Sequence, residues 1–173
     1  MQKRRNAIDA DAKKTALRMI PYGIYVLTAE SGNEVAAATV NFVTQTSFNP
    51  PLIAVAVKAD SGAYAVIGKA GAFALNVLGK GQQGAAFKFF KPAEKQGDTI
   101  SGEPVKKGST GAPIIVNAPA AVECKVVEIV KRGDHHIVIG EVVDAHLAKP
   151  PTGRADDATL WMKDLGEKVY YGG

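Results

Sequence analysis

The stretch YGIYVLTAESGNEVAAATVNFV, residues 22–43, decides the fold class of this chain. Its first part, Tyr22–Ala29, is rich in β-branched and aromatic residues, which favour a strand. Ser31–Asn33 is a turn cluster, and Glu34–Val43 continues as a second strand. Two strands joined by so short a turn predict a β-hairpin.

The segments on either side extend this β character. Further strands are predicted at Leu52–Lys58, Ala72–Leu78, Ala120–Lys131 and His135–Leu147. Short helices are predicted at residues 9–20, Ser61–Lys69 and Gln82–Phe90. Lys91–Gly111 is polar and without a clear period, which predicts a long surface excursion. Short strands, hairpins and brief helices favour an antiparallel β-barrel over a doubly wound sheet.

Composition fits a single domain that spans all 173 residues, a basic helical segment over residues 1–20 and a barrel over residues 21–173. Hydrophobic residues make up 46% and charged residues 22%, values that exclude disorder, collagen and a disulfide scaffold. The net charge of +4 resides in the first 20 residues, which hold six basic and two acidic side chains. The other residues are balanced, so no nucleic-acid partner is expected.

The lone cysteine and the absence of a long apolar run indicate where the protein works. Cys124 cannot form an internal disulfide, which favours a reducing, cytoplasmic setting. No apolar run has membrane-spanning length, so no membrane partner is expected. Alternation puts Cys124 on an apolar face and Glu123 and Lys125 on the opposite, polar face, which predicts a buried and inert thiol.

The sequence gives little indication of a metal site or of a hydrolase active site. His135, His136 and His146 are the only histidines, and the first two point to opposite faces of a strand, so no metal site is predicted. Ser47 lies in no Gly-x-Ser-x-Gly elbow. No protein-borne acid/base pair is evident.

Two polar segments offer binding chemistry instead. Thr39–Ser47 gathers hydroxyl and amide groups at a strand end, where they suit the edge of a polar heterocycle. A loop whose side chains only satisfy their own backbone is the alternative. Lys58 and Ser61 flank the start of a predicted helix, and a lysine beside free N–H groups suits a phosphate. An ordinary N-cap with a solvated lysine is the alternative there.

The order and spacing of these motifs resemble the flavin reductase-like, FMN-binding split-barrel family. The opening at residues 21–67 is similar to the family's barrel start, with its Ser/Thr-rich flavin loop and Pro-Pro. GAFALNVLGKGQQGAAFKFF resembles its middle, and ECKVVEIVKRGDHHIVIGEVV resembles its Cys-containing strand and Gly-Asp-His hairpin. VYYGG is similar to its aromatic C-terminus. The resemblance implies a mainly β fold, an antiparallel split β-barrel with a few short flanking helices.

The resemblance also assigns roles to individual residues. The isoalloxazine and ribityl chain would be held by Thr39, Asn41, Phe42, Val43, Thr44 and Thr46. Lys58 and Ser61 would hold the phosphate, with Tyr64 nearby, and Phe90 and Tyr171 would cover the ring. His135 corresponds to a residue near the nicotinamide or the flavin and is the candidate catalytic residue. Gln45 stands where the family loop often has a small residue.

These assignments imply an NAD(P)H:flavin oxidoreductase. Hydride transfer between NAD(P)H and FMN is carried by the cofactors, which accounts for the missing acid/base pair. The resemblance further implies a homodimer, and an electron-accepting protein or a monooxygenase as the recipient of electrons or reduced flavin. A flavoredoxin-like FMN electron-transfer or flavin-binding protein, not reduced by nicotinamides, is the alternative.

Overall fold

A computed structural model describes residues 7–173, which form two antiparallel sheets and three short helices. The helices are α1 (Ala10–Arg18), α2 (Gly62–Ala70) and α3 (Gln83–Lys88), and two 3-10 turns follow at Ala155–Ala158 and Met162–Leu165. The strands are β1 (Tyr25–Ser31), β2 (Glu34–Val40), β3 (Val43–Phe48), β4 (Pro51–Lys58), β5 (Ala72–Val77), β6 (Lys95–Gln96), β7 (Thr99–Ile100), β8 (Glu103–Lys107), β9 (Pro113–Ile115), β10 (Ala120–Val130) and β11 (His135–Leu147).

The larger sheet has seven strands in the order β2-β1-β5-β10-β11-β4-β3, and the smaller one runs β6-β7-β8-β9. The predicted hairpin is β1–β2, in which Ser31 pairs with Glu34 across the turn. The second predicted hairpin is β10–β11, the longest pair in the sheet. The prediction of a mainly β chain with antiparallel sheets and few helices is therefore confirmed.

The main core lies between the seven-stranded sheet and α2. Leu27, Val55, Ile67, Phe73 and Val138 are fully buried there and come from five different elements. Ser61 caps α2 by accepting a hydrogen bond from the Tyr64 N–H at 3.1 Å, as the N-cap preference predicts. The C-terminal end of α2 closes at Gly71, whose φ of 65° is one that glycine adopts without strain.

Cys124 is buried on the inner face of β10, as predicted. Burial, reinforced by the Glu123 carboxylate, raises the pKa of its thiol to about 12, so the thiol stays protonated and inert. The opposing strand passes close by at Gly140, where a Cβ atom would lie 2.8 Å from that of Cys124 and 2.7 Å from the Phe73 ring. Only glycine fits this approach.

Three sequence predictions are wrong in detail. The predicted strand Glu34–Val43 stops at Val40, because the backbone carbonyl of Asn41 accepts a 2.9 Å hydrogen bond from the Val43 N–H and the chain turns there. Part of the predicted polar loop therefore forms strand β3. Residues 91–111 hold β6, β7 and β8 rather than a bare excursion, because Ile100 is buried in a second core cluster. Glu123 is fully buried, because the loop at residues 108–112 covers the face on which it was expected to meet solvent.

Helix α1 forms within the predicted segment 9–20, but none of its residues is buried. The basic side chains at positions 3–5 lie outside the described residues. No helix within residues 7–173 is both long and apolar enough to span a membrane.

Candidate functional site

The turn between β2 and β3 places the first group of predicted site residues. Asn41 is buried, and its side-chain amide donates to the Tyr171 carbonyl at 2.9 Å. Phe42 follows, and its carbonyl accepts from the Ala56 N–H of β4 at 2.9 Å. This bond fixes the turn against the middle of the sheet, so the amide and the ring project from rigid backbone.

The end of β4 and the start of α2 lie beside this turn. Lys58 ends the strand, and its ammonium group lies 3.4 Å from the Asp60 carboxylate in an exposed pair. The Ser61 hydroxyl caps α2, whose first two N–H groups, at Gly62 and Ala63, have no acceptor within the helix. A cation, a hydroxyl and free N–H groups therefore converge at one point, as a phosphate site requires.

His135 reaches the same place from the β10–β11 hairpin, because it pairs with Lys58 across β11 and β4. Its Nδ1 lies 2.8 Å from the Asp134 carboxylate, and its Nε2 lies 2.6 Å from the Tyr171 hydroxyl. The hydrogen bond and charge of His135 lower the pKa of Asp134 below its usual value. The carboxylate thus accepts from Nδ1, and Nε2 faces the cavity side of the ring.

Four aromatic rings form a cluster beside these polar groups. Phe42 is at its centre, with ring centroids 5.3 Å from Tyr22, 5.5 Å from Tyr171 and 5.6 Å from His135. All three contacts are tilted or edge-on, the arrangement that aromatic pairs prefer. Burial raises the pKa of Tyr171, so its hydroxyl remains a hydrogen-bond donor or acceptor near neutral pH.

Two cavities divide the predicted site residues between them. A small cavity of about 90 Å³ is lined by Thr39, Asn41, Lys58, Ser61, His135 and Tyr171. A larger cavity of about 460 Å³ is lined by Phe42, Val43 and Thr44, together with Ala54, Ala56 and Ile137 of the sheet. Ala56 of β4 lines both cavities, and its N–H bonds to the Phe42 carbonyl, so the two cavities adjoin beside the β2–β3 turn.

Three predicted residues lie elsewhere. Thr46 is exposed at a bulge in β3. The Tyr64 hydroxyl lies 2.8 Å from Nδ1 of His136. Phe90 lines a third cavity of about 810 Å³, between α2, β2 and residues 89–95, which shares Ser61 with the small cavity. Thr39 lines the small cavity, but its hydroxyl already donates to the Ala86 carbonyl of α3 at 2.6 Å.

A second polar cluster, absent from the sequence predictions, surrounds the buried Glu123. Its carboxylate accepts from the backbone N–H groups of Ser109 and Thr110 and from the Thr110 hydroxyl, and it lies 2.7 Å from Nε2 of His146. The Ser109 hydroxyl makes its shorter bond, 2.8 Å, to Asp144. Glu123, Asp144 and His146 place ligand atoms within 4.8 Å of one another. Because four donors already occupy the Glu123 carboxylate, the cluster holds the loop at residues 108–112 in place.

Sequence reasoning also missed two residues at the site itself. Tyr22 was assigned only to a strand, and Asp134 only to a turn. The adjacent Asp and His of the hairpin could have predicted the role of Asp134, because a carboxylate next to a histidine fixes the tautomer of the histidine ring. The contact of Tyr22 with Phe42 has no local sequence signal, because 20 residues separate them in the chain.

Comparison with known proteins shows the family of this chain. The family model described as "Flavin reductase like domain" matches residues 17–164, which include both hairpins and most of the site. The chain belongs to the flavin reductase-like family.

Individual relatives agree with this family assignment. The chain is 34% identical to a flavin reductase from Pseudomonas putida over 80% of both chains. It is 33% identical to diflavin flavoprotein A 1 from Synechocystis over 85% of this chain, but it spans only 26% of that longer protein. The solved NADH:FAD oxidoreductase of Streptomyces globisporus, in complex with NAD and FAD fragments, superposes with a TM-score of 0.70 at 32% identity, over 82% of this chain and 86% of that one.

The residues of this flavin reductase-like chain suit a flavin chemically. Asn41 offers an amide for the edge of a heterocycle, and the apolar cavity beside Phe42 offers walls for a planar ring. The Lys58–Ser61 junction offers the cation and donors that a terminal phosphate needs. Asp60 and Asp134 are unfavourable neighbours for a phosphate, since both carboxylates interact with Lys58.

Proposed function

We propose that this chain is an NAD(P)H-dependent flavin reductase that binds FMN at the β2–β3 turn. The observation that carries the proposal is the convergence of Asn41, the Lys58–Ser61 junction and His135 on one small cavity. These groups come from separate segments of a chain whose family is that of flavin reductase-like domains. Polar surface residues that cluster by chance would not be expected to come from several separate segments of the chain.

The phosphate would bind at the start of α2. Ser61 Oγ, the N–H groups of Gly62 and Ala63 and the Lys58 ammonium group supply its hydrogen bonds. The positive end of the helix dipole adds to this attraction. Tyr64 belongs to the same helix turn and would support the junction through its bond to His136.

The ring system would lie at the β2–β3 turn. Asn41 and the backbone after it would meet the polar edge, and Thr39 would fix the strand next to α3. Phe42, Val43 and Thr44 would form the wall of the ring cavity, whereas Thr46, exposed at the β3 bulge, lies outside its lining. Phe90 lines the third cavity, which also includes Ser61 of the phosphate site. Phe90 would therefore contact the part of FAD that extends beyond the phosphate.

His135 would orient the nicotinamide. Asp134 fixes its Nδ1 as a donor, so Nε2 is left to accept a hydrogen bond from a ligand amide on the cavity side. When bound, flavin supplies the hydride-accepting chemistry. The residues therefore need to align two rings and exclude water, and they need not exchange protons with the reacting atoms.

The split barrel is the architecture we infer for the seven-stranded sheet. Its two edge strands are β2 and β3, and only Asn41 and Phe42 separate them in the chain. Two edges joined by two residues must approach each other, so the sheet curls towards closure at the site. One domain over residues 1–173 is the organisation that goes with this architecture.

A homodimer that passes reduced flavin or electrons to a monooxygenase or another acceptor protein is part of the proposal. Large apolar side chains stay exposed on the strands of a single chain, and a second copy would cover them: Phe48, Val127, Ile137, Val143 and Leu147. Four of them lie on the adjacent strands β10 and β11, and apolar side chains exposed together on neighbouring strands favour association.

Steady-state oxidation of NADH and NADPH tests the proposal. The purified protein is expected to oxidise at least one nicotinamide in air only when FMN or FAD is added. Asn41→Leu is expected to weaken FMN binding, because it removes the buried amide at a similar side-chain volume. Nicotinamide oxidation that does not depend on flavin, or an absence of any oxidation by flavin-loaded protein, would contradict the proposed function.

A further inference from the structure

The last residues of the chain fold back across the candidate flavin site. Val169 packs against the second core cluster, and residues 170–173, the C-terminal tail, continue from it without regular secondary structure. The carbonyl of Tyr171 accepts from Asn41 Nδ2 at 2.9 Å, and its hydroxyl lies 2.6 Å from His135 Nε2. Its ring lies 5.5 Å from that of Phe42.

These contacts use the same groups that the proposed function gives to flavin and nicotinamide: the Asn41 amide, the Phe42 ring and His135 Nε2. The cavity left beside Tyr171 measures about 90 Å³. Small-molecule sites have volumes of about 300 Å³ or more. The ring cavity beside Phe42 is larger, at about 460 Å³, so Tyr171 does not exclude the isoalloxazine from it. Tyr171 instead occupies the Asn41 amide and His135 Nε2, the groups with which a bound flavin and nicotinamide would form hydrogen bonds.

We propose that the C-terminal tail is an intrachain competitor of flavin, with Tyr171 as the group that flavin displaces. This inference rests on the proposed function and deepens it, because it states how access to the site is controlled. Tyr171 would then be in contact with Asn41 and His135 in the closed form and would leave both in the open form.

The tail is attached in a way that permits such movement. Beyond the site, Arg18 holds it, through a 3.3 Å bond from Nε to the Gly172 carbonyl and through its guanidinium group 4.2 Å from the Tyr170 ring centroid. Helix α1, which carries Arg18, has no buried residue. Tyr170 and Tyr171 are themselves half exposed. Opening thus breaks a few polar contacts and little apolar packing, which is typical of segments that open locally.

Val169 anchors the chain just before the tail, because its side chain is partly buried against the second core cluster. Movement is therefore confined to the residues after Val169. The apparent affinity for flavin equals the intrinsic affinity multiplied by the fraction of open molecules, so removal of the tail raises it.

Flavin titration of tail variants tests the inference. Deletion of residues 170–173 and Tyr171→Ala are each expected to tighten FMN binding about tenfold and to speed association. Tyr170→Phe is the matched control, because it keeps the ring over Arg18 and changes no contact in the site; its FMN affinity is expected to equal that of the wild type. Quenching of flavin fluorescence measures all four proteins.

Carboxypeptidase digestion supplies a second readout. FMN is expected to accelerate the release of Tyr171 from the wild-type chain, because binding frees the tail. Weaker or unchanged FMN binding after deletion, or protection of the tail by FMN, would overturn the inference and leave Tyr171 as a residue that covers the bound ring. If no form of the protein binds flavin, the proposed function fails, and this inference fails with it.

Discussion

At the level of single residues, Ser61 has two roles that experiments can separate, the capping of α2 and the proposed binding of the phosphate. Its hydroxyl caps α2 through the Tyr64 N–H, and the same oxygen lines the cavity beside Lys58. An aspartate also caps helices, but its negative charge repels a phosphate. Riboflavin has the same ring system as FMN without the phosphate, so comparing the two ligands isolates this contact.

Ser61→Ala is expected to weaken FMN binding by roughly tenfold, and Ser61→Asp by roughly a hundredfold, with riboflavin affinity unchanged. The reason is that a charge-assisted hydrogen bond contributes about 1.5–3 kcal/mol. Titration of both ligands by fluorescence quenching measures the effect. Equal affinities of the wild type for FMN and riboflavin would refute the phosphate assignment.

His135 is the second residue whose role can be isolated. His135→Ala is expected to lower the rate of flavin reduction by NAD(P)H by about tenfold to a hundredfold, since one orienting contact is lost. FMN affinity is expected to be retained or to tighten, because the same change removes the bond that holds Tyr171.

The neighbouring His136 provides the matched control. It bonds to Tyr64 at the phosphate junction and not at the nicotinamide position, so His136→Ala should leave the reduction rate of bound flavin, measured at saturating FMN, close to that of the wild type. Single-turnover reduction of enzyme-bound flavin measures both variants. A loss of FMN binding in His135→Ala with a normal reduction rate would be the opposite of this expectation.

At the scale of elements, the loop at residues 108–112 depends on one buried carboxylate. Burial alone would raise the pKa of Glu123, but hydrogen bonds from Thr110, His146 and Ser109 outweigh it and lower that pKa to about 2. Since the folded-state pKa lies below the unfolded value of 4.5, this stabilisation is complete above about pH 4.5 and is lost as the pH falls towards 2.

Glu123→Gln is expected to lower the free energy of unfolding by about 1–3 kcal/mol at pH 7, because it replaces the buried, charged acceptor of these hydrogen bonds by a neutral amide. It should also flatten the fall in stability between pH 4.5 and 3. Urea unfolding at several pH values measures both effects. Glu128→Gln, an exposed change on the same strand, is the control and should behave as the wild type. Identical acid sensitivity of Glu123→Gln and the wild type would contradict the role of this carboxylate.

Elements also show how far sequence reasoning reaches. The hairpins β1–β2 and β10–β11 and the cap at Ser61 follow from local patterns, so the sequence predicts them well. Strands β6 and β7 have only two residues each and depend on their pairing partners, so no local pattern could reveal them. At the site, Lys58 and Ser61 are close in sequence, whereas the Asn41–Tyr171 bond spans 130 residues. Only the resemblance to a family pointed to Tyr171.

At the scale of the whole molecule, the exposed apolar side chains on β3, β10 and β11 predict self-association. A dimer interface of about 2,000 Å² or more of total buried area is expected for an obligate pair. Sedimentation at low micromolar concentration should therefore show a species of twice the 18.1 kDa chain mass. Only an 18.1 kDa species, with flavin bound, would reject the dimer.

Anaerobic mixing of the FMN-loaded protein with NADH and with NADPH determines whether this chain reduces flavin with a nicotinamide. The flavin absorbance is expected to bleach with NADH or NADPH and to return in air, and deuterium at C4 of the nicotinamide should slow the bleaching when hydride transfer limits the rate. Protein that stays yellow with both nicotinamides but bleaches with dithionite would contradict the proposed function, and the chain would then be a flavin-binding electron-transfer module.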